Sequence, residues 1–220
     1  MSTLATLCLV LPTFTTSAPG PEFSGVQLAF AAVASLTLYG LFVVIQSFRH
    51  RDYFLPETAD EDEHADPPSD RTALISVAVL VAALVAVVGL AKTESKPIED
   101  AVAAAGFPQS AVGVVIALMV LLPETLAAVR NARRGRVQTS LNLGFGSAMA
   151  SIGLTIPAIA VATIWLDGPL VLGLDSVQTV LLAITVVVGA LTVVPGRATL
   201  QEGGVHLVLV LAFLFLAANP

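Results

Sequence analysis

Charged residues are scarce in this sequence. Only 12% of its 220 residues are Asp, Glu, Lys or Arg, whereas a typical soluble domain has about 25%. So few charges argue against a soluble enzyme, and the high hydrophobic content argues against a disordered chain. The net charge of −6 and the ten basic residues argue against a nucleic-acid partner. The one cysteine, Cys8, excludes a disulfide framework and a multi-cysteine metal site within this sequence.

Long segments without Asp, Glu, Lys or Arg are present instead. A membrane-spanning helix needs about 20 apolar residues, and six segments reach or approach that length: 24–48, 72–91, 101–123, 137–166, 176–196 and 203–220. The apolar runs are continuous, whereas barrel strands would alternate apolar and polar residues. The sequence therefore predicts an all-α, polytopic transmembrane helical bundle. It has about six full spans and a partial N-terminal helix at 1–11, which is too short to span.

The distribution of basic residues predicts the orientation of the spans. Eight arginines fall in the connections 49–71, 130–136 and at Arg197, whereas the opposite side holds only Lys92 and Lys96. Because cytoplasmic connections are enriched in Lys and Arg, the connections with the arginines are predicted to be cytoplasmic. The protein is then an integral multi-pass protein, expected in a bacterial inner membrane, with its C-terminus outside.

An acidic connection divides the sequence. The stretch ETADEDEHAD, residues 57–66, contains six acids and is typical of a solvated linker, although a cation-attracting or regulatory segment is the alternative. We predict an N-terminal part at 1–48, an acidic cytoplasmic linker at 49–70 and a five-helix unit at 71–220.

Two other polar features have ordinary interpretations. The run RNARRGR, residues 130–136, serves as a cytoplasmic anchor, with anionic lipid contact as the alternative. His206 lies near the start of the last span. A histidine hydrogen-bonded near the interface is the favoured interpretation, and a proton relay is the alternative.

A glutamate inside a predicted span is the strongest functional feature. Glu124 follows Pro123 within AVGVVIALMVLLPETLAAVRNARRG, and a helix beginning at Ser110 would place it roughly 20 Å along the segment. Because proline removes a backbone donor and clashes with the preceding turn, we expect the helix to kink or break at Pro123. An ionised carboxylate at the bilayer centre costs about 2.5–3.5 kcal/mol on insertion scales. An ion site is therefore favoured over a protonated glutamate that only joins two helices.

The following span, SLNLGFGSAMASIGLTIPAIA, carries candidate partners for this carboxylate. Ser147, Ser151 and Thr155 recur every four residues and are expected on one face, with Asn142 nearer the cytoplasmic end. Oxygen donors alone suit a hard cation such as Ca²⁺, and Na⁺ or K⁺ fits them too. A poorly solvated carboxylate also holds a proton readily, so a cation and a proton would compete at Glu124.

Residues 121–160 resemble the second repeat of the calcium/cation antiporter superfamily, most closely bacterial calcium/proton (sodium/proton) antiporters. Leu122-Pro123-Glu124 is similar to the acid-bearing broken helix of that family, and Gly146-Ser147 is similar to its following Gly-Ser step. The chain has Ala148 where many members have Asn, which favours proton coupling over sodium/calcium exchange. The resemblance implies Ca²⁺/H⁺ antiport, with Glu124 as the metal ligand. Ser147, Ser151, Asn142 and Thr155, the polar residues of the following span, are the candidate lesser ligands. The resemblance implies no cofactor.

The family builds its fold from two inverted repeats, a general transporter pattern, and the resemblance covers the second repeat only. Residues 1–48 are then expected to be the end of the first half. A homodimer or a separate first-half chain would supply the second acid, and an assembly subunit that is inactive alone is the alternative function. An intramembrane enzyme is disfavoured, because no paired carboxylate or nucleophile–base set accompanies Glu124.

Overall fold

The computed structural model of the chain describes residues 1–49, 69–165, 168, 170–194 and 199–219, except the side chains of residues 84, 88, 91 and 92. These residues form helices joined by short connections. The one β pairing among them is an isolated antiparallel bridge between Glu22 and Val171. The predicted all-α class is confirmed.

The helices of the described residues are numbered here in chain order. They are α1 (Ser2–Phe14), α2 (Gly25–Arg49), α3 (Asp70–Ala104), α4 (Ser110–Arg133), α5 (Val137–Ala162), α6 (Ser176–Val193) and α7 (Leu200–Ala218). The last five residues of α2, Ile45–Arg49, form a π-helical turn. Ser24 begins α2 with a capping box, in which its hydroxyl accepts from the Gln27 backbone and the Gln27 side chain accepts from the Ser24 backbone.

Six of these helices have the length and composition of membrane spans. They are α2, the Asp70–Val87 part of α3, and α4 to α7. Most of their large apolar side chains are exposed on the protein surface, as expected where lipid replaces water around the helices. The protein is therefore an integral multi-pass membrane protein, and α1 is a shorter apolar helix, as the sequence predicted.

Helix α3 is longer than the sequence predicted. We expected a connection around Lys92 and Lys96, yet α3 continues to Ala104 with Pro97 inside it. Proline removes one backbone donor, and the adjacent helical turns persist. The helix ends where Gly106 takes a left-handed φ of +79°, which glycine tolerates. The charge-free segment 101–123 is therefore divided between α3 and α4.

The best-packed region lies where α1, α2 and α5 meet. Cys8, Ala31 and Ile156 form its buried core, and Ser35 of α2 is fully buried there as well. Among the described residues, α2 and α5 form the most extensive helix pair. Gly153 permits this approach, because a Cβ at that position would lie 2.7 Å from the Cβ of Tyr39.

The segment before α6 is bound to the N-terminal segment by hydrogen bonds. The Gly173 amide donates to the Pro21 carbonyl at 2.9 Å, and the Leu174 amide donates to the Leu9 carbonyl at 2.8 Å. The Thr13 hydroxyl donates to the Leu174 carbonyl at 2.6 Å. The N-terminal segment thus packs against α5 through Cys8 and Ile156 and is hydrogen-bonded to the segment just before α6.

The chain forms two compact units, Met1–Pro56 with Leu122–Phe213, and Glu57–Leu121 with Leu214–Pro220. The predicted division into 1–48, 49–70 and 71–220 concerns the halves of an antiporter and stays a prediction. The acidic stretch 57–66 lies outside the described residues.

Candidate functional site

Glu124 lies inside a membrane span, as predicted. Helix α4 places it about 21 Å from Ser110 and about 13 Å from Arg133, at 1.5 Å per residue. The apolar sequence before Glu124 favours insertion, and Arg130 and Arg133 lie in the last turn, where cations interact favourably with the helix dipole. Glu124 is half-buried, so its carboxylate is in contact with protein yet still reachable.

The expected break at Pro123 is not present. Helix α4 is continuous from Ser110 to Arg133, with Pro123 inside it. One missing N–H removes a single backbone hydrogen bond, and membrane helices tolerate proline. The break that we expected is therefore absent from this structure, and the kink that we expected as the alternative stays a prediction.

Ser147 is the direct partner of Glu124. Its hydroxyl donates a hydrogen bond to Oε2 of the carboxylate, linking α4 to α5. Both side chains are half-buried. Hydrogen bonds to ionised acceptors are stronger than neutral ones, so this contact fixes the orientation of the carboxylate.

A cavity of about 370 Å³ surrounds this pair. All of its lining residues belong to the unit that contains Met1–Pro56 and Leu122–Phe213. Its polar lining side chains are Tyr39, Gln46, Glu124, Thr139, Asn142 and Ser147. Its apolar walls include Phe42 and Leu143, and Gly146 gives the cavity room beside Phe42. The cavity therefore combines one carboxylate with several neutral oxygen donors.

The other predicted ligands divide into two groups. Asn142 lines the cavity with Glu124 and Ser147, whereas Ser151 and Thr155 are exposed and are not among its lining residues. The physical reason is helical geometry, since each step of four residues turns about 40° beyond a full rotation. Thr155 has therefore rotated away from the face that carries Ser147. A ligand role for Ser151 and Thr155 stays a prediction.

Sequence reasoning missed Tyr39, Gln46 and Thr139. Thr139, Asn142, Gly146 and Ala150 follow helical spacing on α5, so a search from Asn142 toward the helix start would have found Thr139. No local signal identifies Tyr39 and Gln46, because α2 is brought to the site by its packing on α5.

The donor set indicates the kind of ion that the site could hold. Within the described part of the chain, no three His, Cys, Asp or Glu side chains come together as a metal cluster. Glu124 instead supplies a single carboxylate among hydroxyl and amide oxygens. Hard cations bind oxygen ligands of these kinds, and this arrangement suits a cation that binds and leaves.

Comparison with known proteins shows which family the chain belongs to. The sodium/calcium exchanger protein family matches residues 75–218, which include Glu124, Asn142 and Ser147. The chain belongs to this family. The predicted membership of the calcium/cation antiporter superfamily is confirmed.

Relatives of this exchanger-family chain come from bacteria and a plant. It is 44% identical to the putative ionic transporter y4hA of Sinorhizobium fredii, over 100% of this chain and 60% of that protein. It is 29% identical to the sodium-potassium/proton antiporter ChaA of Escherichia coli, over 94% of this chain and 58% of that protein. It is 25% identical to the vacuolar cation/proton exchanger 3 of Arabidopsis thaliana, over 86% of this chain and 42% of that protein.

The exchanger-family chain spans about 60% of the length of the bacterial relatives. No solved structure matches it. Three of the residues that line the cavity, Tyr39, Phe42 and Gln46, lie before the part of the chain that matches the family.

Proposed function

We propose that the protein exchanges cations for protons across the membrane and that Glu124 binds the cation and the proton in turn. The observation that carries this proposal is the hydrogen bond from Ser147 to Glu124 inside a membrane span. The names of two relatives, an antiporter and a cation/proton exchanger, support the same activity. An enzymatic function has no comparable support.

The exchange follows from the chemistry of one carboxylate. When a cation enters, the Glu124 carboxylate and the neighbouring oxygens of Ser147 and Asn142 replace part of its hydration shell. When a proton arrives from the other side, Glu124 becomes neutral and its attraction for the cation falls. Because the two ions use one side chain, they cannot both occupy it, and this exclusion couples their movements.

Ca²⁺ is the cation that we propose first, with Na⁺ and K⁺ as alternatives. A carboxylate with neutral oxygens suits Ca²⁺, which takes about 6–8 oxygen ligands. The ChaA relative is named for sodium, potassium and protons, which favours the alternatives. Competition among the three ions in one assay decides between them.

Everted membrane vesicles from a bacterial host without its own antiporters provide the test. Adding Ca²⁺, Na⁺ or K⁺ to vesicles with a preformed pH gradient should release protons when the protein is present. Glu124→Gln keeps the shape of the side chain but removes the charge, and it should abolish the flux. The matched control is Glu94→Gln, because Glu94 is exposed and lies outside the cavity lining. Normal flux in Glu124→Gln would overturn the role of Glu124.

A subunit that is inactive alone is the second candidate. It is favoured because the chain spans 60% of the y4hA relative and because the cavity holds one acid. The same assay, repeated after co-expression with the part of y4hA that this chain does not match, separates the two functions. Flux only after co-expression supports the subunit. Flux from neither preparation would overturn antiport altogether.

A further inference from the structure

The cavity around Glu124 extends toward one end of the three helices that line it. On α2, Gln46 lies three residues before the end at Arg49. On α5, Thr139 lies about 3 Å after the start at Val137. Glu124 lies deeper, about 13 Å before the end of α4. Polar lining residues thus continue from the ends of the helices to the carboxylate.

The same ends of these helices carry the basic residues. Arg49 ends α2, Arg133 ends α4, and Arg134 and Arg136 lie in the turn before α5. Because Lys and Arg accumulate on the cytoplasmic side of membrane proteins, this is the cytoplasmic end. The cavity is therefore directed toward the cytoplasm.

We propose that Gln46, Thr139 and Asn142 line the water-accessible path by which a cation reaches Glu124 from the cytoplasm, and that Gln46 contributes to ion selectivity. This proposal rests on the proposed function. The amide oxygen of Gln46 and the hydroxyl of Thr139 replace water molecules that a cation loses as it enters. Phe42 and Leu143 form apolar walls that keep the ion near these oxygens.

Helix α2 lines one side of this path with Tyr39, Phe42 and Gln46. Leu28, Ala31 and Ser35 bury one face of α2, and the same face continues to Tyr39, Phe42 and Gln46. Gly146 and Gly153 of α5 allow α2 to lie close, with Phe42 and Tyr39 as their respective neighbours. Gln46 is therefore positioned by packing along the whole length of the helix pair.

A second cavity, of about 330 Å³, lies between α6 and α7 and does not offer such a path. Its polar lining consists of Gln178, Thr185 and His206, without a carboxylate. His206 is hydrogen-bonded to Thr192 at 3.0 Å. Of these two cavities, the cavity at Glu124 has the lining chemistry that suits a cation.

Labelling of introduced cysteines tests the path without depending on transport. Cys8 is the one native cysteine of the sequence and is fully buried, so Cys8→Ala gives a suitable background. Burial raises the pKa of the Cys8 thiol, which lowers its reactivity even where it is retained. Gln46→Cys and Asn142→Cys are then exposed to a membrane-impermeant thiol reagent in everted vesicles.

The matched control for Asn142→Cys is Leu141→Cys. Leu141 is adjacent on α5 and 38% exposed, but it is absent from the cavity lining, so its thiol would face lipid. Thiolates form in water rather than in lipid, and we expect Gln46→Cys and Asn142→Cys to react roughly tenfold faster than Leu141→Cys. The reaction should occur in everted vesicles but not in right-side-out vesicles, and the transported cation should slow it.

Equal rates for Leu141→Cys and Asn142→Cys, or labelling only in right-side-out vesicles, would overturn the path. Labelling after solubilisation in denaturing detergent measures the total amount of each variant, against which its labelling in vesicles is normalised. Thr139→Cys replaces either cavity variant if that variant fails to accumulate in the membrane. Gln46→Leu, which removes the amide, should alter the ratio of Ca²⁺ to Na⁺ flux, and an unchanged ratio would overturn the selectivity role. If labelling succeeds while Glu124→Gln transports normally, the path stands and the proposed role of Glu124 fails.

Discussion

Ser147 donates a hydrogen bond to the carboxylate of Glu124, although the two residues are 23 positions apart in the sequence. The short turn between α4 and α5 brings them together, and both lie well inside their helices. The bond makes Ser147 more than a small residue that permits helix packing, because it determines where a carboxylate oxygen is presented to the cavity.

Ser147→Ala should weaken cation binding while leaving insertion intact. Hydrogen bonds to charged groups contribute about 1.5–3 kcal/mol, which corresponds to an apparent affinity roughly 10- to 150-fold lower. The measurement is the cation concentration that gives half-maximal proton release in everted vesicles. We expect this concentration to rise in Ser147→Ala.

Ser151→Ala is the comparison for that change, since it makes the same substitution one turn further along α5, and it also tests the ligand role that the sequence predicts for Ser151. Ser151 is exposed and outside the cavity lining. The cation concentration that gives half-maximal proton release should therefore be nearly the same in Ser151→Ala as in the parent protein. An equal effect of both substitutions would contradict the special position of Ser147.

Part of this site could be predicted because its signals are local. Glu124 is recognisable as a charge inside an apolar segment, and Ser147 and Asn142 lie on the next span, which a short turn must return to the same region. Gln46 has no such signal, because only the packing of α2 on α5 determines which side chains of α2 face the cavity. Sequence periodicity does not predict contacts between segments that are far apart in the chain.

The spans were predictable for a related reason, but their ends were not. Hydropathy identifies the segments that must be helical in lipid, whereas Lys92 and Lys96, between two charge-free segments, predict a connection. Helix α3 continues through them to Ala104, because charged side chains on an exposed helical face are compatible with a helix outside the apolar region.

Gly153→Ala should destabilise the pairing of α2 with α5. A Cβ at this position would lie 2.7 Å from the Cβ of Tyr39, and because both atoms are close to the backbone, the helices must separate. Overpacking of this kind costs typically about 1–3 kcal/mol. The midpoint of thermal unfolding in detergent should fall.

Gly144→Ala serves as the comparison on the same helix, since nothing lies within 4 Å of its added Cβ. Alanine also favours a helix over glycine by about 0.5–1 kcal/mol, so its unfolding midpoint should be unchanged or higher. A midpoint for Gly153→Ala as high as that of Gly144→Ala would show that α2 does not depend on this close approach.

Gly173→Ala should disturb the attachment of the N-terminal segment to the start of α6. The added Cβ would lie 2.9 Å from the Thr13 amide nitrogen and 2.6 Å from the Cβ of Pro21. We expect easier proteolytic cleavage near Pro21 and a lower unfolding midpoint. Gly189→Ala has open space around it and should leave both unchanged, and equal behaviour of the two variants would contradict the attachment.

His206 tests whether a titratable side chain inside a span must take part in transport. Its Nε2 lies 3.0 Å from the Thr192 hydroxyl, so the hydrogen bond predicted for it is present. His206→Gln can keep a hydrogen bond to Thr192 but cannot carry a proton near neutral pH. We expect the pH dependence of proton release to be unchanged in His206→Gln, whereas His206→Ala should lose about 1 kcal/mol of stability. A shifted pH profile in His206→Gln would instead support the proton-relay alternative.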